Sequence, residues 1–169
     1  MCLILLSLFL CFFQLVNATI VENISLIAPA RLVGQIIFAN GSDGFFEPCL
    51  ADTRWGVIPS KCKDGKAYVP YGGREHIFEG NNYATIEGTI DEPIMLIPNE
   101  ADMVPPNGAI FSRQLDQSNP VYACVAETRD GLYIPGKRHT GWDGYCFYAQ
   151  DGDERSTRKY SWIVKVTKE

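Results

Sequence analysis

Apolar positions in this chain fall into short alternating runs, each cut off after a few residues by a turn-forming dipeptide. In the first half Leu32–Phe38, Phe45–Ala51, Ala67–Tyr71 and Tyr83–Ile86 read as strands, and Ala109–Phe111, Val121–Glu127, Tyr145–Ala149 and Tyr160–Val166 do so in the second. Between them stand Asn40-Gly41, Asp64-Gly65, Gly72-Gly73, Asp130-Gly131 and Asp151-Gly152, pairs that accept the left-handed backbone of a tight turn. No stretch keeps apolar residues at helical spacing through three turns. The pattern predicts an all-β, antiparallel sandwich or barrel.

The alternation is written twice. Cys49-Leu50-Ala51-Asp52-Thr53-Arg54-Trp55-Gly56 returns as Cys124-Val125-Ala126-Glu127-Thr128-Arg129-Asp130-Gly131. Beyond the octapeptide, Pro59 matches Pro135, Lys61 matches Lys137, Tyr68 matches Tyr145, Tyr71 matches Tyr148, Tyr83 matches Tyr160 and Ile86 matches Ile163. One unit used twice is the expectation: a first repeat at about 32–91, a proline-rich connector at about 92–106 and a second repeat at about 107–166. Two tandem antiparallel β-sandwich repeats sharing one core are expected to pack with approximate two-fold pseudo-symmetry. Within the connector, Ile94-Met95-Leu96-Ile97 suits an edge strand, where proline is tolerated.

The one long apolar run, Leu3 to Phe13, precedes small residues at Val16 and Ala18 and predicts a secretory signal over residues 1–18. It is too short for a membrane span, and no C-terminal apolar tail suggests a second anchor. The net charge of −5, without a basic stretch, argues against nucleic acid. Export leaves four cysteines, Cys49, Cys62, Cys124 and Cys146, which allow three pairings. Because the halves repeat, the favoured pairing is one bridge in each, Cys49 with Cys62 and Cys124 with Cys146. Close Cys-x-x-Cys pairs or nearby histidines, which zinc would need, are absent. Asn23 and Asn40 open glycan-acceptor triplets.

Val57-Ile58-Pro59-Ser60-Lys61, followed by Ala67-Tyr68-Val69-Pro70-Tyr71-Gly72-Gly73-Arg74-Glu75-His76, resembles the DM-nine repeat family of invertebrate proteins. The second half repeats the pattern in Ile134-Pro135-Gly136-Lys137 and Tyr145-Cys146-Phe147-Tyr148, so the resemblance runs from about Leu32 to Val166. It implies a tandem pair of intertwined β-sandwich repeats. In mannose-binding lectins of that family an aspartate near the Asp-Gly turn and the lysine of the Pro-Gly-Lys segment hold the sugar. Carried over by position, these are Asp43 with Lys61 and Asp116 with Lys137. The chemistry is sound: a carboxylate accepts from vicinal hydroxyls and an ammonium donates to their oxygens, without a metal. Trp55 and Trp142 are candidates to cover the apolar side of a sugar ring.

Asp43 and Asp116 stand at different distances from their octapeptides, and Glu75-His76 aligns with Gly152-Asp153, so the lysines are the firmer assignments. Arg54 and Arg129 read as structural partners of Asp52 and Glu127, and Trp162 as core. His76 and His139 occupy different places in the repeat and suggest no triad. The glycines do not open helices, so no phosphate loop is indicated. The expected function is a secreted carbohydrate-binding protein, lectin-like and mannose-type, acting in innate recognition of microbial or cell-surface glycans. No catalytic activity, metal or cofactor is expected, and a homodimer is compatible with the reading. The alternative is a secreted structural or protein-binding β module without sugar affinity.

Overall fold

The computed structural model describes residues 31–33, 38–39, 45–80, 82–89, 91–100, 104–141 and 144–167. The expected signal, Asn23, Asn40, Asp43 and Trp142 lie outside them. Fourteen strands and no helix occur among the described residues. They are β1 (Arg31–Val33), β2 (Phe38–Ala39), β3 (Phe45–Thr53), β4 (Gly56–Lys63), β5 (Lys66–Tyr71), β6 (Arg74–Glu79) and β7 (Tyr83–Thr85). After these come β8 (Ile94–Pro98), β9 (Phe111–Ser112), β10 (Val121–Glu127), β11 (Tyr133–His139), β12 (Cys146–Gln150), β13 (Asp153–Thr157) and β14 (Tyr160–Lys165).

Every pairing is antiparallel, and the strands form one curled sheet in the order β1-β8-β14-β10-β11-β12-β13-β6-β5-β4-β3-β2. β7 joins β3, and β9 joins β10. The tight turns follow from their residues: Asp64-Gly65 and Asp151-Gly152 place both members at positive φ, as a two-residue hairpin demands.

The same ladder is laid down twice. Cys49 faces Ser60 as Cys124 faces Gly136; Lys61 faces Tyr68 as Lys137 faces Phe147; Pro70 faces Glu75 as Ala149 faces Glu154. This register corrects three correspondences drawn from sequence. Tyr68 answers to Phe147 rather than Tyr145, Tyr71 to Gln150 rather than Tyr148, and Glu75 to Glu154 rather than Gly152. The cause is a longer hairpin, since Cys62 pairs one strand over with Ala67 whereas Arg138 pairs with the more distant Cys146.

Strands β4 and β11 carry buried prolines, Pro59 and Pro135, which the sequence pattern had not marked as strand. Each pairs with its preceding neighbour, while the following neighbour's ladder begins only beyond it, at Lys61 and Gly136. A proline at that point removes no donor that the second ladder needs. The expected connector contributes β8, which lies between β1 and β14 rather than at the sheet edge.

Both disulfides form as favoured, Cys49–Cys62 and Cys124–Cys146. The first joins adjacent strands. The second joins β10 to β12 across β11, with a Cα separation of 6.2 Å. Strands two apart in a flat sheet would stand at roughly 9.5 Å, so the sheet must curl sharply about β11. Gly136 lies at that bend: a Cβ there would come within 2.1 Å of the Phe147 carbonyl oxygen. Each disulfide sits in its own apolar cluster, one around Ile58 and Val69, the other around Ile134 and Trp162. Trp162 is fully buried, as expected.

Candidate functional site

Lys61 and Lys137 lie at matched positions on β4 and β11, and both are buried, at 3 % and 2 % exposure. A lysine is seldom so deep without a partner. Each has a glutamate: Lys61 Nζ lies 3.1 Å from Glu75 Oε1, and Lys137 Nζ lies 3.3 Å from Glu154 Oε1. The glutamates are held in turn by the opposite half. The Gly152 N–H donates to Glu75 Oε2 at 2.8 Å, and the Gly73 N–H donates to Glu154 Oε2 at 2.7 Å. β6 and β13 meet here, with Arg74 opposite Asp153 and the Glu75 N–H donating to the Gly152 carbonyl.

Asp116 completes the second of these places. The segment before it pairs with the β3–β4 turn: Leu115 N–H donates to the Trp55 carbonyl, Val57 N–H to the Arg113 carbonyl, and the Ser112 hydroxyl to the Val57 carbonyl. Gly56 permits this approach, since a Cβ there would lie 2.6 Å from the Arg113 oxygen and its φ is +102°. So placed, Asp116 accepts from Gln114 Nε2 at 2.6 Å and from the Tyr71 hydroxyl at 2.8 Å. These two bonds, with Lys137 nearby, hold its carboxyl below the usual carboxylate range. Tyr71 rises above its ordinary value through the same bond.

Burial pulls the Lys137 ammonium below its usual pKa, against the opposing pull of Glu154 and Asp116. Lys137 also sits 5.1 Å from the Tyr71 ring, which stacks on Trp55 at 4.1 Å. Behind it, burial and the positive charge of Lys137 push His139 down to about 4, and His139 Nδ1 meets Gln117 Oε1 at 2.9 Å. Around Lys61 the aromatic partners are Phe46, at 4.4 Å, and Tyr68, at 5.2 Å. Glu75 Oε1 is buried and receives no hydrogen bond of good geometry among the described residues, its ammonium neighbour acting as a charge contact.

The structure thus brings Asp116 into electrostatic reach of Lys137, with Glu154 as that lysine's direct partner. Asp43 lies outside the described residues. Glu75 and Glu154 were missed as site residues because the alignment set Glu75 against Gly152. Trp55, expected to offer an open face, is covered on one side by Tyr71 and approached by the Arg54 guanidinium at 4.6 Å. Glu127 pairs with Lys159 at 3.5 Å, which corrects its expected pairing with Arg129. Among the described residues no cluster of histidine, cysteine and carboxylate side chains is arranged to hold a metal, and no helix is long and apolar enough to cross a membrane. Compared with family models and with curated proteins, the chain matches neither, so its chemistry rests on its own residues.

Proposed function

We propose that this is a secreted carbohydrate-binding protein of lectin type, with mannose-like recognition at two matched places built around Lys61 and Lys137. In this reading the doubled ladder is a tandem pair of antiparallel sandwich repeats, related by an approximate two-fold axis near Arg74 and Asp153. The observation that carries it is the repeated burial of a lysine against a glutamate that the other half secures. Burying an ammonium is unfavourable, and burial pulls the Lys137 pKa down while Glu154 and Asp116 pull it up. In this reading a vicinal diol would join each place, donating to a carboxylate oxygen and accepting from the ammonium. Asp116 is exposed and meets a ligand first. Asp43 is assigned the corresponding role beside Lys61. Two weak sites on one molecule would favour multivalent glycan surfaces by avidity. Two disulfides are consistent with an extracellular home.

A second reading has its own support. The reciprocal bonds of Glu75 and Glu154 to the opposite half make the lysine–glutamate pairs a clasp, as a structural module without sugar affinity would use them. Retention on mannan-agarose separates the two. The lectin reading expects retention of the purified chain, competed by free mannose and lost in Lys61→Ala/Lys137→Ala. Retention equal to the parent's in that double variant removes the site assignment. A glycan array that stays blank, together with a lowered melting temperature in the variant, favours the clasp.

A further inference from the structure

On the face of β12 turned away from Lys137 lies a cleft of about 500 Å³, lined by Arg129, Arg155 and Arg158 against the single carboxylate of Asp130. Tyr145, Tyr148 and Gln150 belong to its wall, with hydroxyl side chains from Thr128, Ser156 and Thr157. The sidedness follows from register: Phe147 and Ala149 stand opposite Lys137 and Glu154, so Tyr148 and Gln150 point the other way. Three arginines thus line one hollow of a chain whose net charge is −5.

The first half shows what this place looks like when filled. By register Gln150 corresponds to Tyr71, Arg155 to His76 and Thr157 to Phe78, while the octapeptide matches Asp130 with Trp55. There Trp55 stacks on Tyr71 and meets His76 and Phe78 edge-on, at 4.7 and 5.9 Å, closing the space with aromatic carbon. In the second half polar and cationic side chains replace each of these rings, and the space is open. The arginines are lightly engaged. Arg155 meets Asp151 at 3.1 Å in an exposed pair, Arg158 lies 4.8 Å from the Tyr145 ring, and Arg129 has no ion-pair partner among the described residues. Burial raises the Tyr148 phenol above its ordinary value, and Arg155, Asp130 and Arg129 all act on it, so these charges share one neighbourhood.

We propose that this cleft binds a sulfate or phosphate group, as the free anion or as a monoester carried on a sugar. Guanidinium groups stay charged at all physiological pH and present planar donor pairs that match oxyanion oxygens. The hydroxyl-rich wall and the Tyr145 ring would receive the remainder of a small ligand, and the volume is that of an ordinary small-molecule site. The site is independent of the lysine places and requires no sugar binding there.

The test uses the whole mature chain, titrated with inorganic sulfate and with a sulfated disaccharide while amide NMR shifts are followed, and run on a heparin resin with a salt gradient. Expected are saturable shifts at Tyr145, Gln150 and Arg155, at least about tenfold tighter for the disaccharide if the wall contacts sugar; equal affinities identify the free anion as the ligand. Arg129→Ala/Arg155→Ala/Arg158→Ala should lose the shifts and elute at lower salt than Lys66→Ala/Arg113→Ala/Lys165→Ala, which removes the same charge elsewhere. Should the arginine variant not fold, Gln150→Tyr/Thr157→Phe narrows the cleft with its charge intact and should also abolish the shifts. Identical elution of the two charge-removal variants, or an absence of sulfate-dependent shifts in the parent, overturns the proposal.

Discussion

Lys137, His139 and Asp116 illustrate how one buried charge sets the chemistry of its neighbours. His139 is 1 % exposed, and burial with the adjacent ammonium brings its pKa to about 4, so it is neutral in the folded chain through the physiological range. The consequence for stability has a definite sign. The unfolded histidine gains a proton below its ordinary value of 6.5, whereas the folded one does not until about 4. Its contribution is therefore fully present above pH 6.5 and is lost as pH falls toward 4, at up to about 1.4 kcal/mol per unit, or about 3 kcal/mol across the window. Thermal unfolding followed from pH 7 to 4 should show this decline, and His139→Gln should flatten it. An unchanged slope in the variant would place the proton uptake elsewhere. At the same scale, Tyr71→Phe removes one of two side-chain donors to Asp116 and should move that carboxyl back toward the ordinary range, read by carbon-detected NMR titration.

At the scale of elements, the hairpins were legible and several strands were not. Asp64-Gly65 and Asp151-Gly152 are turns for a reason internal to those residues, their tolerance of positive φ. β4 and β11 escaped notice because proline in a strand normally argues against it, and only the delayed start of the next ladder explains Pro59 and Pro135. The mismatch of Glu75 with Gly152 has an equally physical cause. A slip of two residues in a strand preserves which side chains face inward, so the alternating pattern cannot detect it. Gly136 is the residue on which the β11 bend depends. Gly136→Ala would push a methyl group into the Phe147 carbonyl and should destabilise the chain by at least about 2 kcal/mol in denaturant unfolding, with Ser60→Ala at the matched place much milder.

For the whole molecule, the junction of β6 with β13 fastens the two halves through Glu75, Glu154 and their glycine N–H partners, alongside the Asp116–Tyr71 bond and the pairing of residues 112–115 with the β3–β4 turn. Glu75→Ala/Glu154→Ala should therefore lower stability by about 3 kcal/mol or more, since each loss takes a direct carboxylate partner from a buried ammonium. Calorimetry of the parent should give one cooperative transition and that of the variant an earlier or divided one. A variant as stable as the parent would show that the halves are held by their remaining contacts without these glutamates. What the amino-acid order determined without help was everything governed by near neighbours: the all-β character, the turns, the duplication, and the cysteines paired within each half. The tertiary structure alone decided the glutamates beside Lys61 and Lys137, the Asp116–Tyr71 bond across halves, and the open arginine cleft where the first half is packed with rings. Those features join residues distant in the chain, and their geometry depends on how sharply the sheet curls, a property of the assembled ladder that no local run of side chains encodes.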